Sequence, residues 1–126
     1  MNPEFTAYPL PKGYTFSAAV RSGPMLVISG MTATDENRQI VGTDLESQSR
    51  YIFNKMGKVL AEAGVSFADV IETVDYVTTF DGYIKTADVR REFFGEGPYP
   101  AATGVKVAGL IRPGALIEIK AIAWVG

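Results

Sequence analysis

The chain has 126 residues, 12 of them Lys or Arg and 14 Asp or Glu, for a formal charge of −2; 47% are apolar, and Cys and His are both absent. This describes one globular domain with a single core, and it excludes disulfide frameworks, thiolate nucleophiles, Ser-His-Asp triads and His-based zinc sites within one chain. No Lys/Arg run can track a phosphate backbone, no apolar run can span a bilayer and no signal-peptide pattern opens the chain, so neither nucleic acid nor membrane is an expected partner and the cytoplasm is the expected location.

Met1 to Gly13 carries Pro3, Pro9 and Pro11 and reads as an irregular lead-in. Thr15–Arg21 and Met25–Ser29 flank Ser22-Gly23-Pro24, a turn signal, and are predicted to form a β-hairpin closed by Ser29-Gly30. Met31 to Gly42 is a polar loop. Thr43 with Glu46 three residues on matches a capping box. Leu45, Ile52, Met56, Val59, Leu60 and Ala63 then recur mostly at three- and four-residue spacings up to Gly64. The pattern predicts a helix of roughly 20 residues, about 30 Å long, with Arg50, Lys55 and Lys58 on its solvated side.

Ser66–Asp69 reads as a brief helical turn. Val70–Phe80 is rich in β-branched and aromatic residues and predicts a strand. Its Glu72 and Asp75 fall on opposite faces and are expected to be surface or edge charges. After Asp81-Gly82, Tyr83–Phe94 predicts a second helix with Ile84, Ala87, Arg91 and Phe94 along one stripe and Gly95 as its stop. Arg90 and Arg91 are expected on that helix's surface or in ion pairs between subunits. Gly97–Pro100 is a loop, Ala102–Ala108 a strand and Leu110–Gly114 a turn.

The last strand, Ala115–Val125, is the most informative. Side chains alternate faces along a strand. One face carries Ala115, Ile117, Ile119, Ala121, Ala123 and Val125, all apolar. The other carries Leu116, Glu118, Lys120, Ile122 and Trp124, mixed but still greasy. Such a strand needs cover on both faces. The order β-β-α-β-α-β-β predicts a single α+β domain with both helices on one face of a mixed sheet. The Glu118 face then lacks cover from the chain itself, and a second subunit is the simplest source. Glu118 is either a reactive carboxylate or the partner of Lys120 or of a neighbouring subunit's cation.

Pro100-Ala101, Val105, Val107 and Leu110, a short turn, then Glu118-Ile119 and Ala121-Ile122-Ala123 resemble the signature of the reactive-intermediate deaminase family (RidA/YjgF type). The resemblance covers nearly the whole chain. It implies a chorismate-mutase-like fold and a homotrimeric barrel with substrate clefts between subunits. It also implies cofactor-free, metal-free hydrolysis of an imine tautomerised from an enamine, with release of ammonia. Residue by residue, Glu118 matches the family's catalytic carboxylate and Ser29 the serine that helps position water. Phe16, Gly30, Ala102, Thr103, Gly104 and Arg112 are the candidate substrate-binding residues.

The departures are as specific as the matches. The family's Pro-Ala-Arg reads Pro100-Ala101-Ala102, so the arginine that holds the substrate carboxylate is missing. The small or thiol residue two places on is Gly104, the family tyrosine falls on Phe16 and its asparagine on Ala87. Arg112, in the turn before the last strand, is the cation to watch as a replacement; the alternative is a solvated turn arginine. These changes imply a substrate other than a simple 2-imino acid, with Phe16, Ala102 and Gly104 leaving room for a larger or uncharged group. The alternatives are a trimer that binds small molecules without turnover and a chaperone-like trimer. Some relatives are labelled ribonucleases, for which a chain without histidine or a basic stripe offers little support.

Overall fold

Apolar residues at every second position suit the last strand, β6 (Ile117–Trp124), to an interior place in a sheet. In the computed structural model, which describes residues 1–126, β6 lies between β3 and β4 in a six-stranded sheet of order β1-β2-β3-β6-β4-β5. The other strands are β1 (Thr6–Tyr8), β2 (Ala19–Ser22), β3 (Met25–Thr32), β4 (Val70–Val77) and β5 (Ala101–Lys106). Only β4 and β5 pair in parallel, so the sheet is mixed, and helix α2 (Thr86–Phe94) supplies the crossover that a parallel pair requires. The α+β class and the predicted order hold, with one addition. β1 forms within the lead-in expected to be irregular, as an edge strand between Pro3 and Pro9, where the prolines interrupt no central ladder.

Helix α1 (Leu45–Glu62) buries Leu45, Ile52, Phe53, Met56 and Leu60. Its cap is one residue later than the Thr43–Glu46 pattern predicts. The Asp44 carboxylate accepts from the Ser47 N–H at 2.7 Å, and the Ser47 hydroxyl answers the Asp44 N–H. An ionised acceptor is favoured there by the positive end of the helix dipole, and the Ser47 hydrogen bonds hold the Asp44 carboxyl below its ordinary range.

The second helical segment opens with a 3₁₀ turn, Tyr83–Lys85, before α2. Three residues per turn instead of 3.6 shift the phase of the α-helical turns after it. The buried side of α2 is Thr86 and Val89, with Phe93 and Phe94 partly buried; of the predicted stripe Ile84, Ala87, Arg91 and Phe94, Phe94 packs on the core while Arg91 is exposed and Ile84 is 85% exposed. Phe93 and Phe94 pack on Phe53 and Phe67 with ring centroids 5.3 to 5.7 Å apart, locking α2 to α1.

On β6, Ile117, Ile119, Ala121 and Ala123 are buried with the helices' apolar faces in one core. Neither helix covers the opposite face, where Glu118, Lys120 and Ile122 are half-buried and Trp124 is exposed. On β4 the buried positions include Thr73, Asp75 and Val77. Glu72 is exposed as expected, but Asp75 is 5% exposed and is not a surface charge. It alternates in step with Thr73 and Val77, and that side of the strand faces the helices.

Candidate functional site

The site is built where β3 meets β6. Their register runs Ile28↔Ala121 and then Met31↔Ile119, so Ser29 and Gly30 together oppose the single residue Lys120. This is a β-bulge, which bends a strand and re-aims its side chains. Gly30 lets the carboxylate come close: a Cβ there would stand 2.7 Å from Glu118 Oε2. The Glu118 carboxylate thus lies directly over the bulge. No ion pair with Lys120 forms, and Glu118 belongs to none of the chain's salt bridges. The Ser29 hydroxyl donates to the Ser17 carbonyl at 2.6 Å, and the Ser29 N–H donates to Ala18 O. With its proton committed to the main chain, Ser29 offers its lone pairs to a visitor.

Ser29, Gly30 and Glu118 line one cavity of about 340 Å³ together with Phe16 and Arg112. Leu10, Tyr14, Met31, Val59 and Ile111 add apolar wall, and Lys55 and Lys58 enter from α1. Lys55 departs from the solvated position expected for it. Its ammonium donates to Thr32 O at 3.0 Å and Thr34 O at 2.9 Å, tying α1 to the end of β3. Burial, reinforced by the charge of Arg112, pushes its pKa below the ordinary lysine value. The cavity therefore gathers three cations and one carboxylate. Lys58 and Arg112 take part in none of the chain's ion pairs.

The turn that carries Arg112 is fixed by a buried residue that sequence reasoning passed over. Gln48 on α1 is fully buried, donates to Gly42 O and Gly114 O at 3.1 Å each, and accepts from the Leu116 N–H at 2.8 Å. A buried amide with its donors and acceptor matched is a strong positional restraint. Here it pins the segment leading into β6.

Ala102, Thr103 and Gly104 are not in this cavity. They sit on β5, the far edge of the sheet, and line a separate cleft of about 460 Å³ with Asp75, Tyr83 and Arg90. Nor is Gly104 open room within the chain, because a methyl group there would overlap the Tyr83 hydroxyl. That hydroxyl donates to Asp75 Oδ2 at 2.8 Å. Reading the sequence missed Lys55, Lys58, Asp75 and Tyr83. The spacing of Lys55 and Lys58, three apart on one helix face, and the alternation of Asp75 with Thr73 and Val77 were the available signals. No group of three or more Asp or Glu side chains stands close enough to hold a metal ion.

A six-stranded mixed sheet with two helices on one face, and a Ser-Gly bulge beneath a glutamate of the last strand, define a small α+β protein of the RidA/YjgF type. The chain matches the endoribonuclease L-PSP family model over residues 9–125, and it belongs to that family. It is 35% identical over 110 residues to a RutC family protein of Pyrococcus horikoshii, covering 86% of each chain. To the RutC family protein YjgH of Escherichia coli it is 35% identical over 114 residues, covering 87% of this chain and 82% of the relative. A Rid family protein of unknown function from Yersinia pestis superposes with a TM-score of 0.87 at 25% identity, over 95% of this chain and 98% of that one. No helix is long and apolar enough to cross a membrane.

Proposed function

We propose that the protein is a cofactor-free cytoplasmic hydrolase that deaminates a small enamine or imine in the Glu118–Ser29 cavity. The observation that carries this reading is the arrangement at the bulge. An unpaired carboxylate lies over Gly30, in one cavity with a serine whose proton is already given away. Two such acceptors suit a water molecule, which donates one hydrogen to each and keeps a lone pair for the imine carbon. Glu118 in its acid form delivers a proton to the enamine carbon, giving the iminium and a carboxylate. The carboxylate takes a proton from the attacking water and passes it to nitrogen. As ammonia leaves and C=O forms, the hydroxyl proton returns to Glu118, so atoms and charge balance. General acid–base catalysis of this kind contributes about 100- to 10,000-fold.

Arg112 and Lys58 supply positive charge for an anionic end of the substrate, in place of the arginine missing at Ala102. Leu10, Phe16 and Met31 favour a larger side chain than the methyl of 2-iminopropanoate. The working form is a homotrimer. The uncovered face of β6 and the exposed length of β5 support it, and Ala102, Thr103 and Gly104 join this cavity only if a neighbouring copy brings its β5 to it.

The test is ammonia release from imines generated in the assay by an amino-acid oxidase. The leucine-derived imine is expected to turn over on the order of 10-fold or more faster than 2-iminopropanoate, and Arg112→Ala to lower efficiency by roughly 10- to 100-fold. Absence of turnover with every imine, or an unchanged Glu118→Gln variant, overturns the reading. Size exclusion with light scattering should give three times the 13.6 kDa chain mass.

A further inference from the structure

Lys55 stands on the wall of the Glu118 cavity, and the hydrolysis proposed above gives it no part. Its Nζ donates to Thr32 O at 3.0 Å and to Thr34 O at 2.9 Å, and it makes no other hydrogen bond or ion pair. A lysine nitrogen is tetrahedral. Cε and two N–H bonds take three of its directions, and one is left. In the ammonium that direction carries a charged N–H without an acceptor. In the neutral amine it carries the lone pair, and every N–H is matched. Burial first, and then the charge of Arg112, disfavour the ammonium. Asp35 acts the other way and more weakly, and the Tyr51 ring, 5.9 Å from Nζ, is at the far edge of cation–π range. A lysine drawn out of water beside a second cation is a nucleophile toward carbonyl carbon.

We infer that Lys55 is a covalent capture site for small 2-oxo acids, held as a Schiff base on Nζ. The lone pair adds to the keto carbon and a proton moves from nitrogen to oxygen, giving a carbinolamine. Its hydroxyl leaves with the remaining N–H proton as water, and C=N forms. One amine and one ketone thus give one imine and one water, with no oxidant or reductant. Protonated, the imine keeps one N–H for Thr34 O, while Thr32 O still accepts from the Thr34 N–H at 2.7 Å. The class of ligand follows from the lining. Arg112 and Lys58 match a carboxylate, and Leu10, Phe16 and Met31 suit an apolar side chain. Hydrolysis of an amino-acid-derived imine at Glu118 releases such an acid, but its capture needs only the cavity and not the hydrolysis.

The probe is the 2-oxo acid of leucine, incubated with the assembled wild-type protein and sodium cyanoborohydride, which reduces a Schiff base to a stable secondary amine. The chain should gain the mass of the acid less one oxygen atom. Peptide mapping should place the label on Lys55 in preference to Lys58 and every other lysine by about tenfold or more. Methyl isobutyl ketone, which lacks the carboxylate, should label the wild type about tenfold or more slowly, and so should the oxo acid with Arg112→Ala. Lys55→Arg keeps a cation and donors for the two carbonyls but no nucleophile, and should lose the mass gain; mapping of the wild type decides the matter if that variant folds poorly. The inference is overturned by label spread evenly over the lysines, by no mass gain at about 10 mM oxo acid, or by equal labelling with ketone and oxo acid. A protein labelled at Lys55 that releases no ammonia from any imine keeps the capture site and loses the hydrolase reading. Turnover without labelling does the reverse.

Discussion

Two clefts in this molecule hold the same kinds of side chain and use them in opposite ways. One has Glu118, Ser29 and Arg112; the other has Asp75, Tyr83 and Arg90. In the first, the hydroxyl spends its proton on a main-chain carbonyl and the carboxylate is left free over a glycine. In the second, the hydroxyl donates its hydrogen bond to the carboxylate, and Asp75 is drawn out of water with Tyr83 half-buried beside it. Burial raises the pKa of Asp75 above the carboxylate range, and burial with the Asp75 hydrogen bond pushes Tyr83 up to about 12. What a carboxylate can do here depends less on its identity than on who holds the neighbouring proton and how much water has been removed. The open arrangement is free to exchange protons with a guest. The closed one keeps its hydrogen bond within the pair.

The largest expected effect breaks the first cleft's side of this contrast. Glu118→Gln keeps shape and a hydrogen-bond acceptor but cannot take up a proton, and should lower imine turnover about 100- to 10,000-fold with the oligomer intact. Next comes Gly30→Ala. Its methyl group collides with the flexible end of Glu118 rather than with backbone, so the carboxylate moves and the fold remains. Misplacement by about an ångström is expected to cost on the order of 100-fold in turnover, with little change in melting temperature. A large loss of stability with normal turnover would show that the glycine serves the strand and not the carboxylate.

Gln48→Ala tests how firmly the Arg112 turn must be held. It orphans the Leu116 N–H and two carbonyls and should lower stability by about 1–3 kcal/mol in urea unfolding. The mildest test sharpens the second cleft. Because the folded Asp75 carboxyl keeps its proton at a pH where the unfolded chain gives it up, the folded state binds more protons inside that window. Stability therefore falls as pH rises through the window, and the penalty is complete above the folded pKa. Asp75→Asn does not titrate, so its melting temperature should gain on the wild type as pH rises from about 4 toward 7. Parallel curves for the two proteins would mean that Asp75 is not desolvated.

Much of this was readable from residue order alone. The alternation of Ala115 to Val125 determined which face of β6 meets the helices and which stays open, because a strand's period is two whatever surrounds it. The spacing of Leu45, Ile52, Met56 and Leu60 determined α1 for the corresponding reason. The family signature linked Ser29 with Glu118, nearly ninety positions apart, and the β3–β6 pairing brings them to one cavity. Tertiary structure decided the rest. The Ser29-Gly30 bulge exists only in the register of β3 against β6, which no local pattern encodes. The buried side of α2 runs through Thr86 and Val89, and of the expected stripe Phe94 reaches the core. Lys55 reads as a solvated helix lysine until the end of β3 offers it two carbonyls. Asp75 reads as a surface charge until Tyr83 and the helical layer close over it, and Ala102 to Gly104 prove to lie two strands beyond β6 at the sheet's edge. Periodicity is a local property and survives in the sequence; register, helix phase and the desolvation of a single charge belong to the packed whole.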